Sequence, residues 1–494
     1  MESQDIKVQN PSEEPIIENK NLSLVEALIP IIFLIALLAF NVLSVYGDSA
    51  TSGPNQFALL IAGAVAAIVG LRNKVSFKAM MEEVAKNVKS TSGAIFILLM
   101  VGALSGTWLI SGVIPSMIYY GLQLLNPTIF LPATLIICSL ISIATGSSWT
   151  TSATVGIALI GIGNTIGVPT GMVAGAVISG AYFGDKLSPL SDTTNLAPAM
   201  AGTDLFTHIR YMTITTVPSI LLALILFIIL GLTQETHGVT NTAETLKDIK
   251  EVFNISPWLF LVPIVVIGLI IKKTEPLIAL FIGTLLGGVF AIIFQPEIIA
   301  KITDNSSVHF NSAYKAVINA ITTETTIQTN NSMLSSLFKS KGMAGMLSTI
   351  WLILCAMVFG GIMEAIGALS RITDAFLKLF HTVFGLFAST VASCLVLNIS
   401  ASDQYLAIVV PGKMFKKAYE DKGLAPENLS RTLEDSGTVT SALIPWNTCG
   451  AYQSVTLGVS TFEYLPYAFF NIISPFMTLL FAAFKIKIKQ ITKL

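Results

Sequence analysis

The chain has 494 residues, of which 53% are hydrophobic and 12% charged, and its formal net charge is −1. Soluble domains carry about 25% charged residues, so this composition argues against a soluble protein, and the near-neutral charge gives no support for nucleic-acid binding. Apolar runs of about 20 residues, the length of a membrane-spanning helix, recur along the chain. We therefore predict an all-α polytopic membrane protein.

The first half of the sequence alternates between apolar and polar segments. Residues 1–22 are polar and mildly acidic, as expected of a disordered cytoplasmic terminus. Residues 72–90 carry apolar and charged sides at helical spacing, which predicts a helix lying on the membrane surface. We assign residues 23–235 to a first transmembrane repeat, in which apolar segments are predicted over 24–46, 56–71, 93–125, 129–144, 153–163, 169–183 and 206–230.

The second half follows the same plan. A polar linker, 236–256, leads to a second transmembrane repeat, 257–484, and to a basic cytoplasmic tail, 485–494. Apolar segments are predicted over 257–271, 277–294, 346–369, 383–397, 405–411 and 463–484. The polar segments between them are an amphipathic insert, a helix break, a charged loop and a stretch of small polar residues, predicted over 296–342, 398–404, 413–431 and 434–456.

The two halves align with each other at one constant offset. The shift that places Ser147 on Asp403 also places Ser191 on Asn447, and it superimposes a glycine, a phenylalanine and a tyrosine at the same spacing in both halves. An internal duplication of this kind gives inverted repeats when each copy crosses the membrane an odd number of times, which is a transporter architecture.

Lysine and arginine residues predict the orientation in the membrane. They cluster over 72–89, 413–422 and 485–493, whereas 47–55 contains none. Because such residues are retained on the cytoplasmic side, we expect both termini in the cytoplasm.

Helix breaks are the first candidate for a functional site. The segments 145–152 and 398–404 are rich in hydroxyl and small residues within apolar surroundings. A broken helix exposes backbone carbonyls and amides near the middle of the membrane, and a cage of hydroxyl and carbonyl oxygens suits a hard cation such as Na+. A small anion could use the amide ends instead, and the same residues could simply hold helices together.

Carboxylates in apolar sequence are the second candidate. Asp185 and Asp192 bracket the stretch from Gly184 to Asn195, and Asp403 lies at the second break. An aspartate within the membrane costs about 2.5–3.5 kcal/mol on insertion scales, and one that binds either H+ or Na+ provides exchange without further machinery. Lys186 is placed to neutralise one of these carboxylates; the alternative is a charge pair at the membrane surface.

These considerations define the predicted site. Glu364, alone in an apolar run, Asp435 and Lys186 are predicted to couple transport to protons. The predicted Na+ ligands are the three aspartates Asp185, Asp192 and Asp403. The full set of predicted ion- or substrate-binding residues is Asp185, Asp192, Asp403, Ser147, Ser148, Thr150, Thr151, Ser188, Ser191, Thr193, Asn195, Asn398, Ser402, Asn447 and Thr448.

No motif in the chain predicts an enzyme. Gly161-Ile162-Gly163 lacks the third glycine and the strand of a dinucleotide-binding turn, and the four cysteines have neither metal-ligand spacing nor a disulfide pattern. We predict no bound cofactor, and expect Na+ and H+ to be transported ions.

Two long strings in the first half resemble a known family. Thr145-Gly146-Ser147-Ser148-Trp149-Thr150-Thr151 and the stretch 180–197, GAYFGDKLSPLSDTTNLA, are similar to the signatures of NhaC-type sodium/proton antiporters. The resemblance implies a bacterial inner-membrane exchanger with two inverted repeats, discontinuous helices, re-entrant hairpins, a mobile transport domain and a scaffold that usually forms a homodimer.

The resemblance leaves more than one substrate open. We expect exchange of cytoplasmic Na+ for external H+ by alternating access. The same family includes malate/lactate-type antiporters, so a small organic acid is the alternative substrate, although no arginine lies inside the predicted breaks to bind a carboxylate. A channel-like or sensory membrane protein is a third hypothesis, which the duplicated broken helices disfavour.

Overall fold

The computed structural model describes residues 16–46, 50, 53–124, 126–233, 242–304, 309–329, 332–379 and 382–491. Most of the predicted N-terminal tail, part of the linker and the last residues of the basic tail lie outside these ranges. The proposed domain boundaries stay a prediction.

The first half of the described chain folds into helices only. They are α1 (Leu24–Phe40, continued by a π-helical turn, Asn41–Tyr46), α2 (Pro54–Arg72), α3 (Phe77–Ser90), α4 (Ser92–Ile110), α5 (Val113–Leu124), α6 (Pro127–Thr145), α7 (Ser148–Thr151, continued by a π-helical turn, Ser152–Gly156), α8 (Ile157–Thr165), α9 (Thr170–Leu187), α10 (Asp192–Ala201) and α11 (Leu205–Thr233).

The second half is helical apart from one short antiparallel hairpin. Its elements are α12 (Thr242–Val252), α13 (Leu261–Ile271), α14 (Pro276–Phe294), α15 (Pro296–Ile302), α16 (Phe310–Thr322), β1 (Thr325–Thr326), α17 (Ser332–Leu337), β2 (Lys339–Ser340), α18 (Leu347–Ala365), α19 (Ala368–Leu379), α20 (Val383–Ser400), α21 (Gln404–Asp421), α22 (Pro426–Leu433, continued by a π-helical turn, Glu434–Thr438), α23 (Thr448–Leu457), α24 (Thr461–Tyr464) and α25 (Phe469–Ala483).

The predicted polytopic membrane fold is confirmed. Within the described residues, eight helices are long and apolar enough to cross a membrane, or ten if each of two bent pairs counts as one span. One bent pair is the last predicted span, where the chain turns by 53° between Tyr467 and Phe469.

Helix ends recur at the offset that the sequence alignment indicated. α10 and α23 are each 10 residues long, begin after the capping residues Ser191 and Asn447, and end at the left-handed glycines Gly202 and Gly458. Likewise α7 and α21 begin after Ser147 and Asp403. The two halves therefore share a local plan; their relation as inverted repeats stays a prediction.

The prediction of a charged loop over 413–431 is wrong. α21 continues as a helix to Asp421, and α22 begins at Pro426. Lysine and glutamate are good helix formers, so charge alone did not mark a loop. The polar residues of α22 are buried inside the protein, which a reading based on apolar runs cannot anticipate.

Close contacts fix the helices that carry the predicted site. α6 packs along α9 through Gly184, where a Cβ would lie 2.5 Å from the Ser139 carbonyl oxygen. α3 packs on α18 through Gly361, where a Cβ would lie 2.7 Å from the Val84 Cα atom. Glycine at both positions lets the backbones approach, as in other helix pairs packed through small residues.

Candidate functional site

The predicted helix breaks open onto one cavity of about 600 Å³. Its wall combines the α6–α7 break, the last turn of α9 and the first turns of α10, α21 and α23. The α3–α4 junction and the loop between α13 and α14 complete it. The structure thus brings segments from both halves of the chain around a single space.

Four helices begin at the cavity wall. Their capping residues are Ser147, Ser191, Asp403 and Asn447, and each side chain accepts a hydrogen bond from a backbone N–H of the first turn. Helix N-termini carry a partial positive charge. Carboxylates in the cavity therefore face the positive ends of these helix dipoles.

Asp185 joins the first break to α9. It is 8% exposed, and its Oδ2 accepts a hydrogen bond from the Ser148 backbone N–H at 3.1 Å and from the Ser148 hydroxyl at 2.7 Å. One helix thus supplies the carboxylate, and another supplies the N-terminus that binds it.

Asp403 occupies the corresponding place at the second break. It is 6% exposed, and its Oδ1 accepts a hydrogen bond from the Leu406 N–H at 3.0 Å as the cap of α21. The preceding residue, Ser402, has a left-handed backbone with φ 59°, and its carbonyl accepts a hydrogen bond from the Thr448 N–H at 3.0 Å. This bond ties α23 to the break.

Asp192 differs from the other two aspartates. It lines the cavity, but its side chain is exposed rather than buried, and its Oδ2 accepts a hydrogen bond of 3.4 Å from the Tyr405 hydroxyl. The burial expected for this carboxylate is wrong, because Asp192 opens α10 on the accessible side of the cavity.

The predicted neutral ligands divide into two groups. Ser147, Ser148, Ser191, Thr193 and Thr448 line the cavity beside the carboxylates. Those outside the lining are Thr150, Thr151, Ser188, Asn195, Asn398, Ser402 and Asn447.

The second group shapes the backbone around the cavity. The Thr150 hydroxyl donates to the Ser147 hydroxyl at 3.1 Å, and the Thr151 hydroxyl donates to the Ser147 carbonyl at 2.9 Å. Across the protein, the Asn447 amide donates to the carbonyl and side-chain oxygens of Asn398, both at 3.1 Å. These bonds hold the breaks in place.

Two further polar residues hold the loop before α10. The Asn195 amide donates to the Pro189 carbonyl at 3.0 Å, and the Ser188 hydroxyl accepts from the Leu190 N–H at 3.4 Å. Both side chains therefore serve the turn that places Asp192.

The sequence suggested that Lys186 neutralises one of the aspartates of the predicted site, but it does not. Its ammonium forms an ion pair with Asp435, and both side chains are fully buried. Asp435 also accepts hydrogen bonds from the hydroxyls of Thr215 at 2.7 Å, Ser474 at 3.2 Å and Thr478. The pair lies outside the cavity lining and joins α9 to the segment after α22.

Glu364 also lies outside the cavity lining. It is near the end of α18, which packs on α3, and its Oε2 is buried without a hydrogen-bond partner. Its predicted role in proton coupling stays a prediction.

Several lining residues were not predicted as ligands. Gln404 follows Asp403, and its Oε1 accepts from the Cys449 thiol at 2.5 Å and from the Ser441 hydroxyl at 3.2 Å. Lys273 and Glu275 enter from the α13–α14 loop. The position of Gln404 beside Asp403 was a usable signal, whereas nothing local connects that loop to the breaks.

The lining places single carboxylates beside neutral hydroxyl and carbonyl oxygen atoms. Among the described residues, no three His, Cys, Asp or Glu side chains converge to hold a metal ion. A bound Na+ would therefore depend on hydroxyl and carbonyl oxygens beside single carboxylates, which are suitable ligands for a hard cation.

Comparisons of the sequence with known proteins identify its family. The sequence model of the Na+/H+ antiporter family matches residues 180–486. The Na+/H+ antiporter NhaC of Alkalihalophilus pseudofirmus is 36% identical over 423 residues, which cover 86% of this chain and 88% of that protein.

Two other relatives carry different names. The malate-2H+/Na+-lactate antiporter of Bacillus subtilis is 36% identical over 423 residues, covering 85% of this chain and 87% of that protein. The arginine/ornithine antiporter ArcD of Halobacterium salinarum is 32% identical over 492 residues, covering 98% and 97%. The family match and these identities over most of the chain confirm the resemblance seen in the sequence: this chain belongs to the Na+/H+ antiporter family.

Proposed function

We propose that the protein is a secondary active transporter of the bacterial cytoplasmic membrane that exchanges cytoplasmic Na+ for external H+ by alternating access. The observation that carries this proposal is the placement of two buried carboxylates, Asp185 and Asp403, at helix breaks around one cavity. Family membership supports the same activity.

The chemistry rests on competition for these carboxylates. An aspartate oxygen can bond to a proton or to Na+, so protonation releases the cation and deprotonation permits it to bind. The Ser147, Ser148 and Thr448 hydroxyl groups supply neutral oxygen atoms next to the two acids. Exchange then requires only that the cavity open alternately to each side of the membrane.

The size of the cavity keeps an organic substrate as the second candidate. A volume of about 600 Å³ exceeds what Na+ needs and falls in the range of small-molecule sites, about 300–1,000 Å³. Malate, lactate, arginine and ornithine, for which two of the relatives are named, are small molecules of a size that suits such a cavity.

Charge in the lining favours a cation over an organic acid. The described lining residues include one basic side chain, Lys273, and four acidic side chains: Asp185, Asp192, Glu275 and Asp403. A dicarboxylate would meet net repulsion there, although helix N-termini can bind anions. The charge of the lining therefore favours Na+ over an organic acid.

Purified protein in liposomes tests the proposal. A pulse of Na+ should collapse an imposed proton gradient with wild-type protein, and Asp185→Asn and Asp403→Asn should abolish the response. Glu82→Gln, at a side chain that is 64% exposed on α3, is the matched control and should behave like wild type. Failure of Na+ to collapse the gradient at any pH, together with counterflow of labelled malate or lactate, would replace the leading proposal with the organic-acid alternative.

The proposed assembly has two inverted repeats, a mobile transport domain and a scaffold that forms a homodimer, with both termini in the cytoplasm. Labelling of single cysteines placed at residues 17 and 490 from each side of the membrane tests the orientation. Cross-linking in native membranes tests the dimer.

A further inference from the structure

Glu434 is a buried acid that the exchange at the cavity does not use. It opens the π-helical turn that continues α22, and its side chain is fully buried. The next residue, Asp435, pairs with Lys186, whose neighbour Asp185 lines the cavity. Single π-helical turns are frequent at functional sites.

The carboxyl group of Glu434 has few partners. Neither Oε1 nor Oε2 makes a hydrogen bond of normal geometry in the described structure, although the Thr438 hydroxyl, one turn further on, lies close to the carboxyl group. Arg431, one turn before, directs its guanidinium over the Tyr211 ring at 4.7 Å and forms no ion pair within the described residues. Glu434 thus forms no ion pair within the described residues, and the nearby Lys186 is already paired with Asp435.

Asp435, by contrast, has a partner for each carboxylate oxygen. Its two oxygens accept from Lys186, Thr215, Ser474 and Thr478. An ionised carboxylate without such partners costs several kcal/mol when it is buried. The surroundings of Glu434 therefore match a neutral carboxyl group that carries a proton.

The charged groups around Glu434 come from few elements. Lys186 and Asp185 on α9, with Asp435 beside it, act on it electrostatically, and His208 on α11 lies within the field of Lys186 and Asp435. α10 contributes Asp192 at the cavity.

The other helices packed on this turn contribute no charge to it. α25 has no ionisable side chain, α20 has only the thiol of Cys394, and α21 faces Gly437 with Ala407 and Ile408.

We propose that Glu434 is a proton-binding site of the transport cycle, separate from the cation site in the cavity, which holds an additional H+ away from water in the conformation seen here. The proposal rests on the proposed Na+/H+ exchange. When another conformation opens this turn to water, the proton leaves Glu434 and a proton from the opposite side later replaces it. Each cycle then moves one proton more than the cavity carboxylates alone would carry.

The ratio of H+ to Na+ transported is the decisive measurement, because a merely structural role would change the rate and not the ratio. It is obtained in liposomes from the combination of ion gradients and voltage at which net flux is zero. Glu434→Gln, an uncharged isostere, should lower the ratio by one proton per cycle and make exchange less steeply dependent on pH. Glu434→Asp should keep the wild-type ratio.

Glu427→Gln is the matched control on the same helix. Glu427 is buried and pairs with Lys489 near the C-terminal end of the chain, so its loss should leave the ratio unchanged. An unchanged ratio and pH profile in Glu434→Gln would overturn the proposal.

A second measurement covers failure of Glu434→Gln to fold. Infrared spectra of the full-length wild-type protein should contain a protonated-carboxyl band that Glu434→Asp shifts, and a spectrum without such a band would also overturn the proposal. Wild-type protein that shows no Na+/H+ exchange would instead refute the proposed function, so the two failures are distinguishable.

Discussion

The two helix breaks at the cavity have the same backbone shape but different chemistry. Gly146 at the first and Ser402 at the second both have left-handed backbones, with φ 69° and 59°, and each precedes a capping residue. The cap is the hydroxyl of Ser147 in the first half and the carboxylate of Asp403 in the second.

The first break obtains its carboxylate from another helix, because Asp185 of α9 binds the Ser148 N–H and hydroxyl. The comparison shows how two breaks of similar backbone shape can hold two non-equivalent acids. Asp403 caps its own helix, whereas Asp185 belongs to a different helix from the break that it binds. The predictions below test or refine this difference.

The largest expected effect separates the charge of Asp403 from its capping role. Serine is as good a helix cap as aspartate, so Asp403→Ser should retain the fold and lose Na+-driven proton flux in liposomes. Asp403→Ala should lose flux and in addition destabilise the protein by about 0.5–2 kcal/mol through the lost cap. Flux in Asp403→Ser at the wild-type level would mean that the cap, and not the charge, is what the second break needs.

The next effect concerns the buried ion pair between Lys186 and Asp435. Lys186→Met should destabilise the protein by about 3–5 kcal/mol, because it leaves Asp435 ionised and buried without its cation. The double variant Lys186→Met/Asp435→Leu should recover much of that loss, since an apolar pair can replace a buried ion pair. Thermal unfolding in detergent measures both, and equal destabilisation in the single and double variants would contradict the argument.

Sequence reasoning succeeded where a local rule applied. α11 was visible as an apolar run. Asp185 and Asp403 stood out because acids are costly in apolar sequence, and both are buried at the cavity. The two breaks could be placed since each is a short polar segment between helices.

It failed where burial or pairing depends on distant segments. Adjacent residues on a helix point about 100° apart, so Asp185 reaches the cavity while Lys186 pairs with Asp435, a residue of the other half. The buried helix α22 looked like a charged loop, and Asp192 looked buried. A local stretch of sequence does not record which polar side chains the rest of the protein covers.

A smaller effect is expected at Gly146, the left-handed residue of the first break. Gly146→Ala should destabilise the protein by about 1–2 kcal/mol, the cost of a left-handed backbone at a residue with a Cβ. A further cost arises because the new Cβ would lie 2.5 Å from the Leu190 Cβ. Thermal unfolding measures the change, and flux should fall with it, since Leu190 precedes the cap of α10. Wild-type stability would show that the first break has room to relax.

The smallest effect is expected at the equivalent position of the second break, and its sign is reversed. Ser402→Gly replaces a strained left-handed serine whose buried hydroxyl has no hydrogen-bond partner. Relief of the strain and of the unpaired hydroxyl outweighs the greater entropy of an unfolded glycine, so the variant should be more stable by about 0.5–1 kcal/mol, a magnitude typical of backbone-matched substitutions. If thermal unfolding shows that Ser402→Gly is destabilised instead, the entropy of the unfolded glycine outweighs the relieved strain, and the left-handed backbone of the second break costs serine less than expected.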